Sequence, residues 1–153
     1  MSARCCTAEA DETLRTTREL GIGFVAYSPL GRGLLTGVVE DPNTMAESDA
    51  RRRHPRFAAG NIAANLTLVE RVKAIAAKTN CTPGQLVLAW LLAQGDDIVP
   101  IPGTKRAARL HENIGALSVR LSAADLSAIE QAVPVGAVAG LRYPEAQMAS
   151  VYV

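Results

Sequence analysis

Two short apolar runs, "IGFVAY" at 22–27 and "DIVPI" at 97–101, each give way at once to a loop containing glycine and proline. A brief apolar run without alternation marks a strand covered on both faces. Helical patterns fill the chain between and after the two runs. Strand, loop, helix, repeated, is the rhythm of a parallel α/β fold. A right-handed crossover between two such strands brings both following loops to one end of the sheet. Only two strands are legible, however, and a parallel pair cannot cover both its own edges.

The helices carry their own punctuation. Glu9 to Leu20 is polar and helical, with Gly21 as a C′ glycine. The stretch from Val38 to Gly60 is polar and irregular and includes "RRRHPRF". From Asn61 to Thr79, Ile62, Leu66, Val69, Val72 and Ile75 recur at helical spacing. Thr82-Pro83-Gly84-Gln85 forms a capping box with proline at the first helical position. It opens a buried helix through Ala93, closed by Gly95. A further helix starts near Arg106, and Ser122 with Asp125 caps a last one before Pro134. No low-complexity segment or domain boundary interrupts residues 1–153, which read as a single unit.

Sixteen basic residues against fifteen acidic ones give no global attraction to nucleic acid or an anionic membrane. Any anion site must therefore be local. The opening "MSARCCTAEADET" has no apolar core, so it does not read as a secretory signal, and no run is long enough to span a bilayer. Cys5, Cys6 and Cys81 form no C-x-x-C or metal-ligand spacing. Thiols without a framework fit a reducing cytoplasm, and no metal site is expected.

Gly21-Ile22-Gly23-Phe24-Val25-Ala26 formally matches a dinucleotide fingerprint. That motif needs its glycines after a strand and before a helix; here they precede a strand, so the match is discarded. "SPLGRG" at 28–33 is better placed, at the C-terminal end of a strand, where parallel sheets bind ligands. Ser28 offers a hydroxyl, Gly31 and Gly33 allow close backbone approach, and Arg32 supplies charge; a plain turn is the bland alternative.

"PGTKRAARLHEN" at 102–113 shifts the balance. Gly103 and Thr104 lie beyond a strand, and the helix behind them aims free N–H groups at any anion. Thr104, Lys105 and Arg109 can converge on one phosphate, while Arg109, Glu112 and Asn113 share a helix face. Asn pairs with adenine N6 and N7, and a carboxylate accepts from the N6 amine. A phosphate beside an adenine describes the 2′-phosphate end of NADPH. The competing reading makes the cations a solvated face and Glu112 the partner of Arg109.

The segments "GIGFVAYSPLGRGLLTG", "RFAAGNIAANLTLVERVKAIA", "CTPGQLVLAWLLAQGDDIVPIPGTK" and "RLHENIGAL" resemble, in order and spacing, the C-terminal part of an aldo-keto reductase. The likeness runs from about Leu14 to Pro144, toward plant auxin-induced and bacterial general members, and leaves residues 1–13 divergent. It implies the late strands and C-terminal helices of a (β/α)8 TIM barrel that uses NADP(H), without metal, to reduce aldehydes and ketones. Tyr27 would stack on the nicotinamide, and Ser28, Pro29, Leu30, Gly31 and Arg32 would line the pyrophosphate. Gly103, Thr104, Lys105 and Arg109 would surround the 2′-phosphate, with Glu112 and Asn113 on adenine. His111 matches no functional position, and His54 reads as an exposed polar residue of a loop near the substrate mouth. Leu141 stands where an acidic residue is expected before "RYP".

In this family a tyrosine tuned by a lysine, with an aspartate and a histidine, supplies the proton, and all four come from the first half of the barrel. The segment before Gly21 matches only the helix preceding the seventh strand, and a full barrel takes about 250 residues. The expectation is therefore a truncated chain, from a shortened gene or shifted start, with no catalytic residue of its own. It would bind a nicotinamide nucleotide, meet a carbonyl substrate only when completed by the missing half, and self-associate through open sheet edges. The alternative is a non-catalytic nucleotide-binding or assembly module that pairs with another chain.

Overall fold

The computed structural model describes residues 8–39, 45–149 and 151. Cys5 and Cys6 lie outside these residues. Helix α1 (Ala8–Glu19) leads through Gly21, at φ +65°, into β1 (Phe24–Tyr27). Three 3-10 segments follow, at Gly31–Thr36, Ala50–Arg53 and Pro55–Phe57. Then come α2 (Ala59–Lys78), α3 (Pro83–Leu92) and β2 (Ile98–Ile101). Helix α4 (Ala107–Gly115), a 3-10 turn at Ala116–Ser118, α5 (Ala123–Ala132) and α6 (Glu145–Met148) complete the order.

Strands β1 and β2 pair in parallel, with Phe24 opposite Ile98 and Tyr27 opposite Ile101. Arg18, in the last turn of α1, clamps the entrance to β2: its Nε donates to Asp97 Oδ2 at 2.9 Å and its Nη2 to the Gln94 carbonyl at 2.7 Å. Below the sheet, α3 is apolar all round and buried from Leu86 to Leu91, as a helix enclosed on every side must be. Val69 and Val72 of α2 and Ile129 of α5 close the core against Leu86 and Val87.

Both predicted capping boxes form. Gln85 N–H donates to the Thr82 hydroxyl and Thr82 N–H to the Gln85 side chain; Ser122 and Asp125 do the same for α5. The irregular stretch departs from expectation. Its 3-10 turns carry Phe57 into the core, and α2 begins at Ala59, ahead of Asn61, without a side-chain cap. Leu34 and Leu35 of the first loop are buried too.

The strands are not covered on both faces. Ala26 and Ile98 point inward, but Val25, Tyr27, Val99 and Ile101, on the opposite side of the pleat, are each about half exposed. No described helix packs across that face closely enough to bury them. Among the described residues no helix is long and apolar enough to cross a membrane.

Asn65 is the buried polar side chain of this core, 1% exposed, on a helix that sequence periodicity treats as simply amphipathic. Its Nδ2 donates to the Arg56 carbonyl at 2.9 Å and the Ala139 carbonyl at 3.0 Å, and its Oδ1 accepts from Ala139 N–H at 2.8 Å. It thereby joins the turn at Pro55–Phe57 to the chain beyond α5.

Candidate functional site

Because Tyr27 and Ile101 stand in register, the two loops leave the sheet side by side. Between them lies a cleft of about 630 Å³. Ser28, Pro29, Leu30 and Arg32 line it from the first loop, and Gly103, Thr104, Lys105, Arg109, Glu112 and Asn113 from the second. Tyr27 and Gly31 do not reach it; they line a smaller cavity that shares Ser28 and Arg32. Arg106, at the mouth of α4, and Arg51, which the sequence did not single out, add cations to the cleft wall.

The first loop turns sharply. Ser28, Gly31, Arg32 and Gly33 all have positive φ, at +49°, +58°, +58° and +87°. For Ser28 and Arg32 such angles are uncommon and cost on the order of 1 kcal/mol each. Internal bonds hold the turn: Gly31 N–H donates to the Ser28 carbonyl and Gly33 N–H to the Leu30 carbonyl, both at 3.0 Å.

In the second loop the Thr104 hydroxyl accepts from Arg106 N–H at 3.2 Å and so shapes the entry to α4. The first-turn N–H groups behind it have no intrahelical acceptor. Lys105 and Arg106 are exposed beside them. Arg109 is also engaged within its own helix. Its Nη1 donates to Glu112 Oε2 at 2.5 Å, one turn along the helix. Burial pushes the Glu112 carboxyl up, but the Arg109 guanidinium and the Thr82 hydroxyl outweigh that and hold it below the usual range. Glu112 is therefore engaged with its own helix and with the α3 cap. The pair orients Arg109 without exhausting its five N–H donors. Gln85 Nε2 donates to the Glu112 carbonyl at 3.0 Å, so the α3 capping box also anchors α4.

A second cluster forms at the end of β1. Arg142 Nη1 donates to the Tyr27 hydroxyl at 2.8 Å, and the Tyr143 hydroxyl reaches the same oxygen at 3.5 Å. The Arg32 guanidinium lies 5.0 Å from the centre of the Tyr143 ring, and the His54 ring stands 6.1 Å from it. Burial raises the Tyr27 phenol, the Tyr143 bond adds to this, and the Arg142 charge opposes it. His54 is not the exposed loop residue expected: it is half-buried, and its Nδ1 is fully enclosed with no hydrogen-bond partner. The 3-10 turns on either side carry its ring against Tyr143.

Burial, then the Arg32 and Arg53 charges, hold the His54 imidazole below its ordinary value of 6.5. A depressed histidine takes up its proton more readily in the unfolded chain. Its contribution to stability is thus intact above pH 6.5 and is lost as pH falls through that value toward the folded pKa. Urea midpoints should fall between pH 7.5 and 5.5, and His54→Gln should flatten that fall; an unchanged slope in the variant would assign the effect to other groups.

The family model described as the aldo/keto reductase family matches residues 4–134. This chain belongs to the aldo/keto reductase family. It is 52% identical over 131 residues to an aldo-keto reductase [NADP(+)] of Schizosaccharomyces pombe, covering 86% of this chain and 38% of that protein. A probable aldo-keto reductase of Glycine max is 51% identical over 135 residues, covering 87% and 38%. The chain thus spans 38% of the length of these curated relatives. Among solved structures, a glycerol dehydrogenase from Gluconobacter oxydans superposes with a TM-score of 0.68 at 22% identity, covering 76% of this chain and 35% of that one. A thermostable aldo-keto reductase solved with the inhibitor epalrestat gives 0.51 at 28% identity, covering 81% and 34%. The fold is a portion of the aldo/keto reductase TIM barrel. Its two loops occupy the C-terminal end of the strands, where such barrels build their sites.

Proposed function

We propose that the cleft binds NADP(H) and that residues 1–153 form one partial aldo/keto reductase domain, the nucleotide-binding portion of an enzyme that reduces aldehydes and ketones. The observation that carries this reading is the meeting of two loops and five cations, Arg32, Arg51, Lys105, Arg106 and Arg109, in one cleft beside a helix N-terminus. The Ser28–Arg32 turn suits the pyrophosphate, and Gly103, Thr104, Lys105 and Arg109 suit the 2′-phosphate. Asn113 suits adenine. Glu112 serves first as the partner that orients Arg109. Tyr27, in the adjoining smaller cavity that shares Ser28 and Arg32 with the cleft, offers its ring to the nicotinamide. When bound, the cofactor supplies a hydride; the chain's own residues bind and orient it.

A charge-assisted hydrogen bond contributes roughly 1.5–3 kcal/mol, so Arg109→Ala should weaken NADPH about tenfold or more and NADH far less. Lys105→Ala should act in the same direction. Fluorescence titration with both nucleotides checks this; equal weakening of NADH would remove the 2′-phosphate assignment. The exposed sheet face at Val25, Val99 and Ile101 favours a second reading, an assembly module that covers this face with another chain. A stable oligomer that binds neither nucleotide would support it instead.

A further inference from the structure

The small cavity at the end of β1 is chemically distinct from the nucleotide cleft. Its volume is about 40 Å³, far too small for a nucleotide but above the space that one water needs. Arg32, Arg56 and Arg142 line it together with Tyr27 and Ser28, and no acidic residue does so among the described residues. Arg32 has no carboxylate partner among the described residues; its Nη1 reaches only the Arg142 carbonyl, at 3.4 Å, while its charge rests over the Tyr143 ring. It is held there from a left-handed backbone conformation, φ +58°, that a side-chain-bearing residue rarely adopts. Strain kept at a charged residue in a cavity wall points to function rather than to packing. Arg142 is placed on the Tyr27 hydroxyl from a segment more than a hundred residues away, which Asn65 pins at Ala139.

We propose that this cavity is an anion subsite in which Arg32, Arg142 and the Tyr27 hydroxyl hold a single carboxylate group. Guanidinium forks match the two oxygens of a carboxylate, and a phenol donates a third hydrogen bond. The subsite adjoins the cleft through Ser28 and Arg32, which line both. A carbonyl compound bound at this sheet end would therefore carry an anionic group close to the carbonyl. That last step rests on the NADP(H) reading; the anion subsite itself does not.

Acetate is the probe, titrated into the 153-residue chain while proton–nitrogen NMR follows the arginine Nε–H signals. Saturable shifts are expected at Arg32 and Arg142, and Arg142→Gln and Arg32→Gln should each weaken acetate about tenfold. Arg142→Lys, which keeps the charge but not the fork, should weaken it less. Lys105→Ala should leave acetate binding intact while weakening NADPH, which separates failure of the subsite from failure of the cofactor reading. Acetate and NADPH should bind together. Shifts that do not saturate, that survive Arg142→Gln in a variant with unaltered circular dichroism, or that NADPH abolishes by competition would overturn the subsite; the last result would assign the anion to the nucleotide's phosphates.

Discussion

Purified as the 153-residue chain, the protein should oxidise NADPH with no aldehyde above the buffer blank. Carbonyl reduction needs a proton donor poised over the developing alkoxide. Among the described residues, Tyr27 and Tyr143 are the phenols at this end of the sheet, and their hydroxyls lie 3.5 Å apart. The Tyr27 hydroxyl accepts from Arg142, and burial raises its pKa rather than preparing it to give up a proton near neutrality. General acid–base catalysis contributes about 10²- to 10⁴-fold, and positioning and water exclusion contribute further. The sheet face bearing Tyr27, Val25, Val99 and Ile101 is open to water, so exclusion is lost as well. The assay follows NADPH absorbance with a panel of aldehydes for the chain, Tyr27→Phe and Tyr143→Phe. Turnover by the chain that either substitution removes would refute the expectation.

The largest effect on stability should come from Asn65→Leu. The substitution removes three hydrogen bonds at once and leaves the Arg56 and Ala139 carbonyls and the Ala139 N–H facing an apolar side chain. Each buried polar group left unsatisfied costs about 1–3 kcal/mol, so a loss of roughly 3–5 kcal/mol is expected. Against a typical domain stability of about 5–15 kcal/mol, that is a large fraction. Urea unfolding measures it. Limited proteolysis should also show earlier cleavage between Pro134 and Tyr143 than in the parent, because Ala139 loses its anchor. A change below about 1 kcal/mol would mean that water or a local shift satisfies these groups as well as Asn65 does.

Much of the site was legible because its signals are local. A capping box spans only four residues, so Thr82 with Gln85 and Ser122 with Asp125 could be read directly, and both helices start where expected. The glycines and prolines of "SPLGRG" and "PGTKR" mark loops by their own backbone preferences. Parallel pairing then puts both loops at one end of the sheet, and the cleft with Lys105 and Arg109 lies there. The i, i+3 spacing placed Arg109 and Glu112 on one helix face but left open whether they serve a ligand or each other.

Folding in three dimensions adds that the two pair with each other, and that the Thr82 hydroxyl at the α3 cap also holds the Glu112 carboxyl down. Apolar runs announce strands, yet whether both faces are buried depends on which other elements reach them, and here Val25, Val99 and Ile101 stay exposed. No periodicity links Tyr27 to Arg142, His54 to Tyr143, or Asn65 to Ala139. Those contacts join segments far apart in the chain, and only packing brings them together. The chain's local chemistry determined its strands, caps and loop positions, since hydrogen bonds and φ preferences act within a few residues. The open sheet face, the half-buried His54 and the arginine-lined cavity beside Tyr27 were decided by tertiary packing, which sets the solvent exposure and charged neighbours of each group.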